Sequence, residues 1–96
     1  MTDTELENYY KGLIDEHPDK DFISKAVELK LRTMRRSYSF NMGKLYDSED
    51  YFYRWRMFDA TGTDYGPKTI ITKDQAQWLY DHHFSWSWVE GLGKEL

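Results

Sequence analysis

Residues 51–60 (YFYRWRMFDA) constrain the fold more than any other part of the chain, because their pattern predicts a long β-strand. Aromatic side chains favour strands, and successive residues of a strand point to opposite faces of the sheet. One face of the predicted strand carries Tyr51, Tyr53, Trp55 and Met57. The other face carries Phe52, Arg54, Arg56 and Phe58. A strand so rich in rings needs partner strands and a covering layer, so the chain must build a sheet around it.

Shorter strands are predicted on both sides of this segment. Tyr38, Phe40 and Met42 alternate with Ser and Asn, which is typical of a half-buried strand. Residues 61–67 indicate a hairpin loop in which two glycines supply positive φ, and residues 68–71 return as a short strand. Together these segments predict a three-stranded antiparallel meander.

Two helices are predicted before the strands. The first has a capping-box spacing at Thr4 and Glu7 and ends before Pro18, which disfavours helical geometry at the preceding residue. Residues 21–36 fit both a helical face and the alternation of a strand, and their length and Ala, Glu, Leu and Lys content favour a helix. The apolar stripe of the first helix is formed by Leu6, Tyr9, Tyr10, Leu13 and Ile14.

A third helix is predicted after the strands, because Thr72 and Gln75 repeat the capping-box spacing and helical periodicity continues to His83. The sequence therefore predicts an α+β fold with the order α-α-β-β-β-α, in which a three-stranded antiparallel meander has helices packed on one face. A chain of 96 residues is within the usual size of one domain. We expect a single domain over residues 1–96 that frays over residues 90–96.

The composition excludes several classes of site and directs attention to the surface. Cysteine is absent, which excludes disulfides, zinc–thiolate sites, iron–sulfur clusters and cysteine nucleophiles. This absence and the acidic, polar start of the chain predict a cytoplasmic protein. No apolar run approaches the roughly 18 residues of a membrane span, so no membrane partner is expected. The 4 Trp, 8 Tyr and 5 Phe exceed the needs of a small core, and we expect some of these rings to contact partners.

The sequence does not predict catalysis or metal binding. His82 and His83 are adjacent, and neighbouring helical residues point about 100° apart, so the pair is poorly placed to share an ion. We expect both to end a helix, where histidine interacts favourably with the helix dipole. Signatures of nucleophilic sites and glycine-rich phosphate loops are absent from the sequence. The expectation is a protein that is not an enzyme and has no metal site or cofactor.

Two groups of residues are candidates for partner binding. On the strand face with two arginines, the candidates are Phe52, Arg54, Arg56 and Phe58. Arg35 and Arg36 precede the neighbouring strand and extend this candidate site. Arginine beside exposed aromatic residues is an enriched combination at interfaces. The other interpretation, which is slightly favoured, is that the arginines only keep an open sheet face soluble, with their stems lying over the phenylalanines.

The second group is Trp86 and Trp88, which point the same way in an extended segment. Burial of both indoles would help a small chain to close its core, and this interpretation is slightly favoured. The alternative is that at least one indole anchors an interface.

These features predict a small protein-binding module, a regulator or inhibitor of a larger macromolecular machine that acts by occlusion. The analogy is to the small accessory proteins of phages and mobile elements. The alternative is binding of single-stranded nucleic acid by the aromatic and arginine face, against which stands the net charge of −4. A homodimer is also open, because the predicted short strand at residues 68–71 would offer its edge to a second copy.

Overall fold

Helices precede and follow an antiparallel sheet, as the α+β prediction required. The computed structural model describes residues 2–93, and the chain divides into two units, Met1–Ser37 and Tyr38–Leu96. The first unit contains α1 (Asp3–Gly12), a 3-10 helix (Leu13–Asp15) and α2 (Lys20–Arg35). The second contains β1 (Ser39–Lys44), β2 (Tyr51–Asp59), β3 (Gly62–Tyr65), β4 (Thr69–Ile71) and α3 (Lys73–Asp81).

The first helix begins earlier than the sequence predicts. Its N-cap is Thr2, whose side chain accepts a hydrogen bond from the backbone N–H of Glu5 at 3.2 Å, so the predicted cap at Thr4 is wrong. Both threonines have a Glu three residues later, which makes their spacing equivalent. Capping at Thr2 places Asp3 and Glu5 in the first turn, where the helix dipole favours acidic side chains.

Residues 21–36, which fit both a helix and a strand, lie in a helix as predicted. Asp19 caps α2 by accepting a hydrogen bond from the backbone N–H of Phe22 at 3.1 Å. The buried side chains of α2 include a cation, Lys30, whose Nζ lies 5.4 Å from the centre of the Tyr10 ring. Burial lowers the pKa of Lys30 to about 8 and raises the pKa of Tyr10 to about 12. The remaining buried residues of this helix are Phe22, Ile23, Ala26, Val27, Leu31 and Thr33.

The sheet has four strands where three were predicted. The β1-β2-β3 meander is antiparallel, and β4 also pairs with β2, on the same edge as β3. The predicted hairpin loop at residues 61–67 is mostly strand, because β3 begins at Gly62, directly opposite Asp59. Thr61 donates hydrogen bonds from its backbone N–H and its hydroxyl to the Asp59 carboxylate, which holds this turn tight.

A β-bulge separates β3 from β4. Arg56 pairs with Tyr65 and Tyr53 pairs with Thr69, so two residues of β2 face three residues between these pairs. The three residues are Gly66, Pro67 and Lys68. The third strand of the predicted meander is therefore present, but it is broken into two short pieces.

The core of the second unit lies between one face of the sheet, α3 and the segment that follows it. The capping box of α3 at Thr72 and Gln75 is present as predicted. The ring of Phe40 stacks on Tyr53, with 5.1 Å between ring centres, and meets the edge of Phe84 at 5.5 Å. These contacts place α3 and its continuation on the face of β2 that carries Tyr53.

Residues 90–93 contact other residues of the second unit, and the fraying expected over residues 90–96 stays a prediction. Leu92 is buried, and the backbone N–H of Gly93 donates to Oε1 of Gln77 at 3.0 Å. The hydroxyl of Tyr51 donates to the backbone carbonyl of Glu90 at 3.2 Å. Residues 94–96, which complete the segment predicted to fray, lie outside the described residues.

Candidate functional site

The face of the sheet opposite α3 forms a basic and apolar surface. Strand pairing places Tyr65 of β3 and Ile70 of β4 on the same face as the arginines of β2, because directly paired residues share a face. Lys68, in the bulge, reaches the same face. We call this surface the basic face and define it by its six solvent-accessible members: Arg54, Arg56, Phe58, Tyr65, Lys68 and Ile70.

Phe52 forms the floor of the basic face. The sequence places it among the exposed residues of this face, but only 7% of its surface is exposed, so that part of the prediction is wrong. Its ring lies over Gly43 of β1, where a Cβ atom would come within 2.7 Å of the ring. Lys68 Nζ lies 4.6 Å from the centre of the same ring and the Arg54 guanidinium carbon 5.1 Å. The Phe52 ring is therefore buried between the backbone of Gly43 and the side chains of Arg54 and Lys68.

Arg54 is positioned by aromatic rings. Its guanidinium carbon lies 4.0 Å from the centre of the Tyr65 ring and 5.1 Å from the centre of the Phe52 ring. Its Nε atom is buried and makes no hydrogen bond within the described residues. Aromatic contacts hold the plane of a guanidinium without neutralising its charge, so the group stays able to bind an anion from another molecule.

The charge of the basic face is not compensated locally. Among residues 2–93, no carboxylate oxygen lies within 4.0 Å of a side-chain nitrogen of Arg54, Arg56 or Lys68. The β1 residues opposite the two arginines are Asn41 and Ser39, which are neutral. Three cations therefore face solvent together, although the chain as a whole has a net charge of −4.

Exposed apolar side chains lie among these cations. Phe58 is 78% exposed, Ile70 53% and Tyr65 47%. Full burial of a large apolar side chain contributes roughly 1.5–3 kcal/mol, so these three residues could supply much of the binding free energy of a modest interface. The prediction that Phe58 is exposed is confirmed. Sequence reasoning did not find Tyr65, Lys68 and Ile70, because the strand register brings Tyr65 and Ile70 to this face and the bulge brings Lys68.

Arg35 and Arg36 belong to the first unit, at the end of α2. Arg35 and Arg36 are both exposed, and Nε of Arg35 donates to Oε1 of the half-buried Glu7 at 3.4 Å. Their contribution to the candidate site stays a prediction, and Arg35 has an acidic neighbour that the arginines of β2 lack.

Trp86 and Trp88 are exposed, at 79% and 70%, so the favoured prediction that they close the core is wrong. The apolar residues buried on either side of them are Phe84 and Val89, and Ser85 is buried as well. The ring of Trp86 stacks on His83 with 5.6 Å between centres, just after α3. Because Phe84 packs on the face that carries Tyr53, Trp86 lies on the α3 side of the sheet, away from the basic face. Trp86 is therefore separate from the β2 residues of the first predicted group.

The histidines at the end of α3 make aromatic contacts. His82 stacks on Trp78, with 3.8 Å between ring centres, and its Nδ1 lies 2.7 Å from the Trp78 carbonyl oxygen. Within residues 2–93 no group of three or more His, Asp or Glu side chains is arranged to hold a metal ion. None of the described helices is long and apolar enough to cross a membrane.

Comparison of the chain with models of protein families, with curated proteins and with solved structures finds no match. The inference of function therefore depends on the geometry of the two exposed surfaces.

Proposed function

We propose that the protein is a non-enzymatic protein-binding module whose basic face covers an acidic surface of a partner. The observation that carries this proposal is the mixture of three cations without a nearby carboxylate and three exposed apolar side chains on one sheet face. Surfaces of this composition are enriched at protein interfaces, where aromatic residues and arginine supply most of the binding free energy.

The arrangement suits an acidic protein surface in particular. Uncompensated cations attract an acidic partner during diffusional encounter, and the rings exclude water once the surfaces meet. Arg54, already held by Tyr65 and Phe52, loses little conformational freedom when it binds a carboxylate. Binding alone is enough for a regulator or inhibitor that acts by occlusion, since such a protein needs only to cover a functional surface of its partner.

Single-stranded nucleic acid is the second candidate ligand of the basic face. Exposed Phe58 and Tyr65 beside cations resemble the stacking platforms of single-strand binders. The net charge of −4 opposes it, because affinity for nucleic acid comes largely from neutralised phosphates. Three cations would give a slope of log affinity against log salt of only about −2 for a single strand. A protein partner that buries the apolar side chains would keep more of its affinity at high salt.

The test is affinity capture of the tagged protein from a lysate of its own cells, with and without nuclease, followed by mass spectrometry. The decisive comparison is between charge-reversal variants. Arg56→Glu combined with Lys68→Glu should release the captured partner, because both exposed cations belong to the basic face. Lys73→Glu is the matched control, since Lys73 is an exposed cation at the start of α3 on the other side of the sheet.

Each outcome has a distinct meaning. A stoichiometric protein that survives nuclease, is lost with the double variant and is kept with Lys73→Glu supports the proposal. Loss of the captured material on nuclease treatment would instead support nucleic acid as the ligand of the basic face. A partner retained by the double variant, with an unchanged circular-dichroism spectrum, would show that the basic face is not the binding site.

A further inference from the structure

A groove lies between the end of α3 and the segment after it, on the side of the sheet opposite the basic face. Its volume is about 330 Å³. The residues that line it are Tyr80, Asp81, His83, Ser85, Trp86 and Gly93. Three of these residues carry aromatic rings, and among residues 2–93 Asp81 is the only Asp, Glu, Lys or Arg that lines the groove.

The walls of the groove are fixed by contacts beneath it. Phe84 is fully buried and packs against Phe40 and Trp78, with 5.5 Å and 6.2 Å between ring centres. On the other wall, the Gly93 backbone donates to Gln77, which also donates from its amide to Asp81 Oδ1 at 2.8 Å. One glutamine side chain therefore holds both the carboxylate and the opposite wall, so the groove is largely formed before any ligand binds.

The chemistry of the lining selects for positive charge. Trp86 is 79% exposed, and its ring is stacked on His83 with an angle of 19° between the planes, so one indole face is open to solvent. No Lys or Arg nitrogen of residues 2–93 lies within 4.0 Å of the Asp81 carboxylate. Tryptophan is the most favourable ring for a cation, and a carboxylate beside it adds direct attraction. An anion would be repelled by Asp81, and a neutral apolar group would remove water from that carboxylate without supplying a positive charge.

We propose that this groove binds the cationic end of a lysine or arginine side chain on a partner protein, with the charge beside Asp81 and the side chain against Trp86. The inference is independent of the proposed role of the basic face, because the two surfaces lie on opposite sides of the sheet and select opposite charges. If both surfaces are used, the basic face contacts an acidic patch and the groove contacts a lysine or arginine side chain.

The test uses small probes and NMR spectroscopy of the ¹⁵N-labelled protein. The probes are N-acetyl-arginine amide and N-acetyl-lysine amide, and the neutral control is N-acetyl-citrulline amide, which has nearly the shape of arginine without its charge. We expect the indole N–H signal of Trp86 to shift with the two cations and the control to bind at least about fivefold more weakly, as an exposed cation–π contact beside a carboxylate implies. Lys94 follows Gly93 in the sequence, so the titration is repeated in Lys94→Gln to remove a competing cation.

Two pairs of variants separate this groove from the rest of the surface. Binding by the variants is read from the backbone amide signal of Gly93, which also lines the groove, because Trp86→Ala removes the indole reporter. Trp86→Ala and Asp81→Asn should each weaken binding of the arginine probe about twofold to fivefold. Trp88→Ala removes an indole of similar exposure, and Asp74→Asn removes an exposed carboxylate of the same helix, and neither residue lines the groove, so both should bind as wild type does. Equal binding of citrulline, equal loss with a control variant, or no shift of the Trp86 signal in either background would overturn the proposal. Arg56→Glu should leave this binding unchanged, which keeps the result separate from that of the basic face.

Discussion

The indole of Trp55 occupies the space that a side chain at residue 66 would need. A Cβ atom built on Gly66 would overlap the Trp55 ring, and the Gly66 backbone N–H donates to the Trp55 carbonyl oxygen at 3.0 Å. The bulge between β3 and β4 is therefore fitted to one particular side chain of the central strand.

We expect Gly66→Ala to lower the free energy of unfolding by about 1–3 kcal/mol, because the new methyl group forces the indole or the bulge to move. Gly12→Ala is the matched control: nothing lies within 4 Å of a Cβ at Gly12, which ends α1. That change should stabilise the protein by up to about 1 kcal/mol, since alanine has the higher helix propensity. Urea denaturation followed by circular dichroism measures both. Equal effects of the two changes would contradict the fit between Trp55 and Gly66.

Arg54 should be more important for binding than for stability. Replacement by Met removes a buried Nε that has no hydrogen-bond partner, and keeps an apolar stem over Phe52 and Tyr65. We expect Arg54→Met to have a free energy of unfolding within about 1 kcal/mol of wild type and to capture less of the partner of the basic face. Arg56→Met, at an exposed position, should likewise capture less partner while its free energy of unfolding stays close to that of wild type. A large loss of stability in Arg54→Met would mean that the charge itself supports the fold.

In the segment after α3, replacing an exposed aromatic residue should affect stability much less than replacing a buried one. Trp86→Ala and Trp88→Ala remove indoles that are mostly in solvent, so each should change the free energy of unfolding by less than about 0.5 kcal/mol. Phe84→Ala empties a fully buried site and should cost about 3–5 kcal/mol. Thermal unfolding of the three variants under one buffer condition checks the order. A loss of stability in Trp88→Ala close to that in Phe84→Ala would show that the Trp88 indole is buried in the folded protein.

Stability should depend on pH through Lys30 and Tyr10. Burial lowers the pKa of Lys30 to about 8, so between pH 8 and the ordinary lysine value the unfolded chain binds more protons than the folded chain. The free energy of unfolding therefore rises with pH in that window. The pKa of Tyr10 is raised to about 12, so the folded chain holds more protons above pH 10 and stability falls there.

We expect a maximum of stability near pH 10, with a rise on the order of 1 kcal/mol from pH 8. Chemical denaturation at half-unit steps of pH measures it. Lys30→Met is the control, because it should abolish the rise between pH 8 and pH 10 and keep the fall above it. A wild-type curve without the rise would show that the Lys30 ammonium is not desolvated in the folded protein.

The elements that could be predicted from the sequence are those whose determinants are local. The capping box at Thr72 and Gln75 uses residues three positions apart. Length and composition, which are properties of one segment, are enough to predict that α2 is a helix and not a strand. The alternation along β2 likewise placed Phe52 and Phe58 on the same face. Local spacing was ambiguous for α1, since Thr2 and Thr4 offer the same cap.

The errors come from contacts between segments that are distant in the sequence. Phe52 is buried because Gly43 leaves room for its ring, and residues 61–67 form a strand and a bulge because Trp55 and Gly66 fit each other. The exposure of Trp86 depends on which neighbours reach the core, and the spacing of the two indoles is the same whether they face inward or outward. Half of the basic face was missed for the same reason, since β2 pairs with residues that are distant in the sequence, as in the pair of Phe52 and Ile70, which are 18 positions apart.

The bulge at Gly66 and Pro67 also affects how the protein can associate with other chains. Pro67 has no backbone N–H, and the bulge shifts the two short strands by one residue, so this border of the sheet offers no long ladder of donors and acceptors to an added strand. Association through backbone pairing accepts almost any extended sequence, whereas association through side chains is selective. With this border interrupted and the adjoining surface rich in rings and cations, recognition at this border depends on side-chain chemistry and not on backbone pairing with an arbitrary strand.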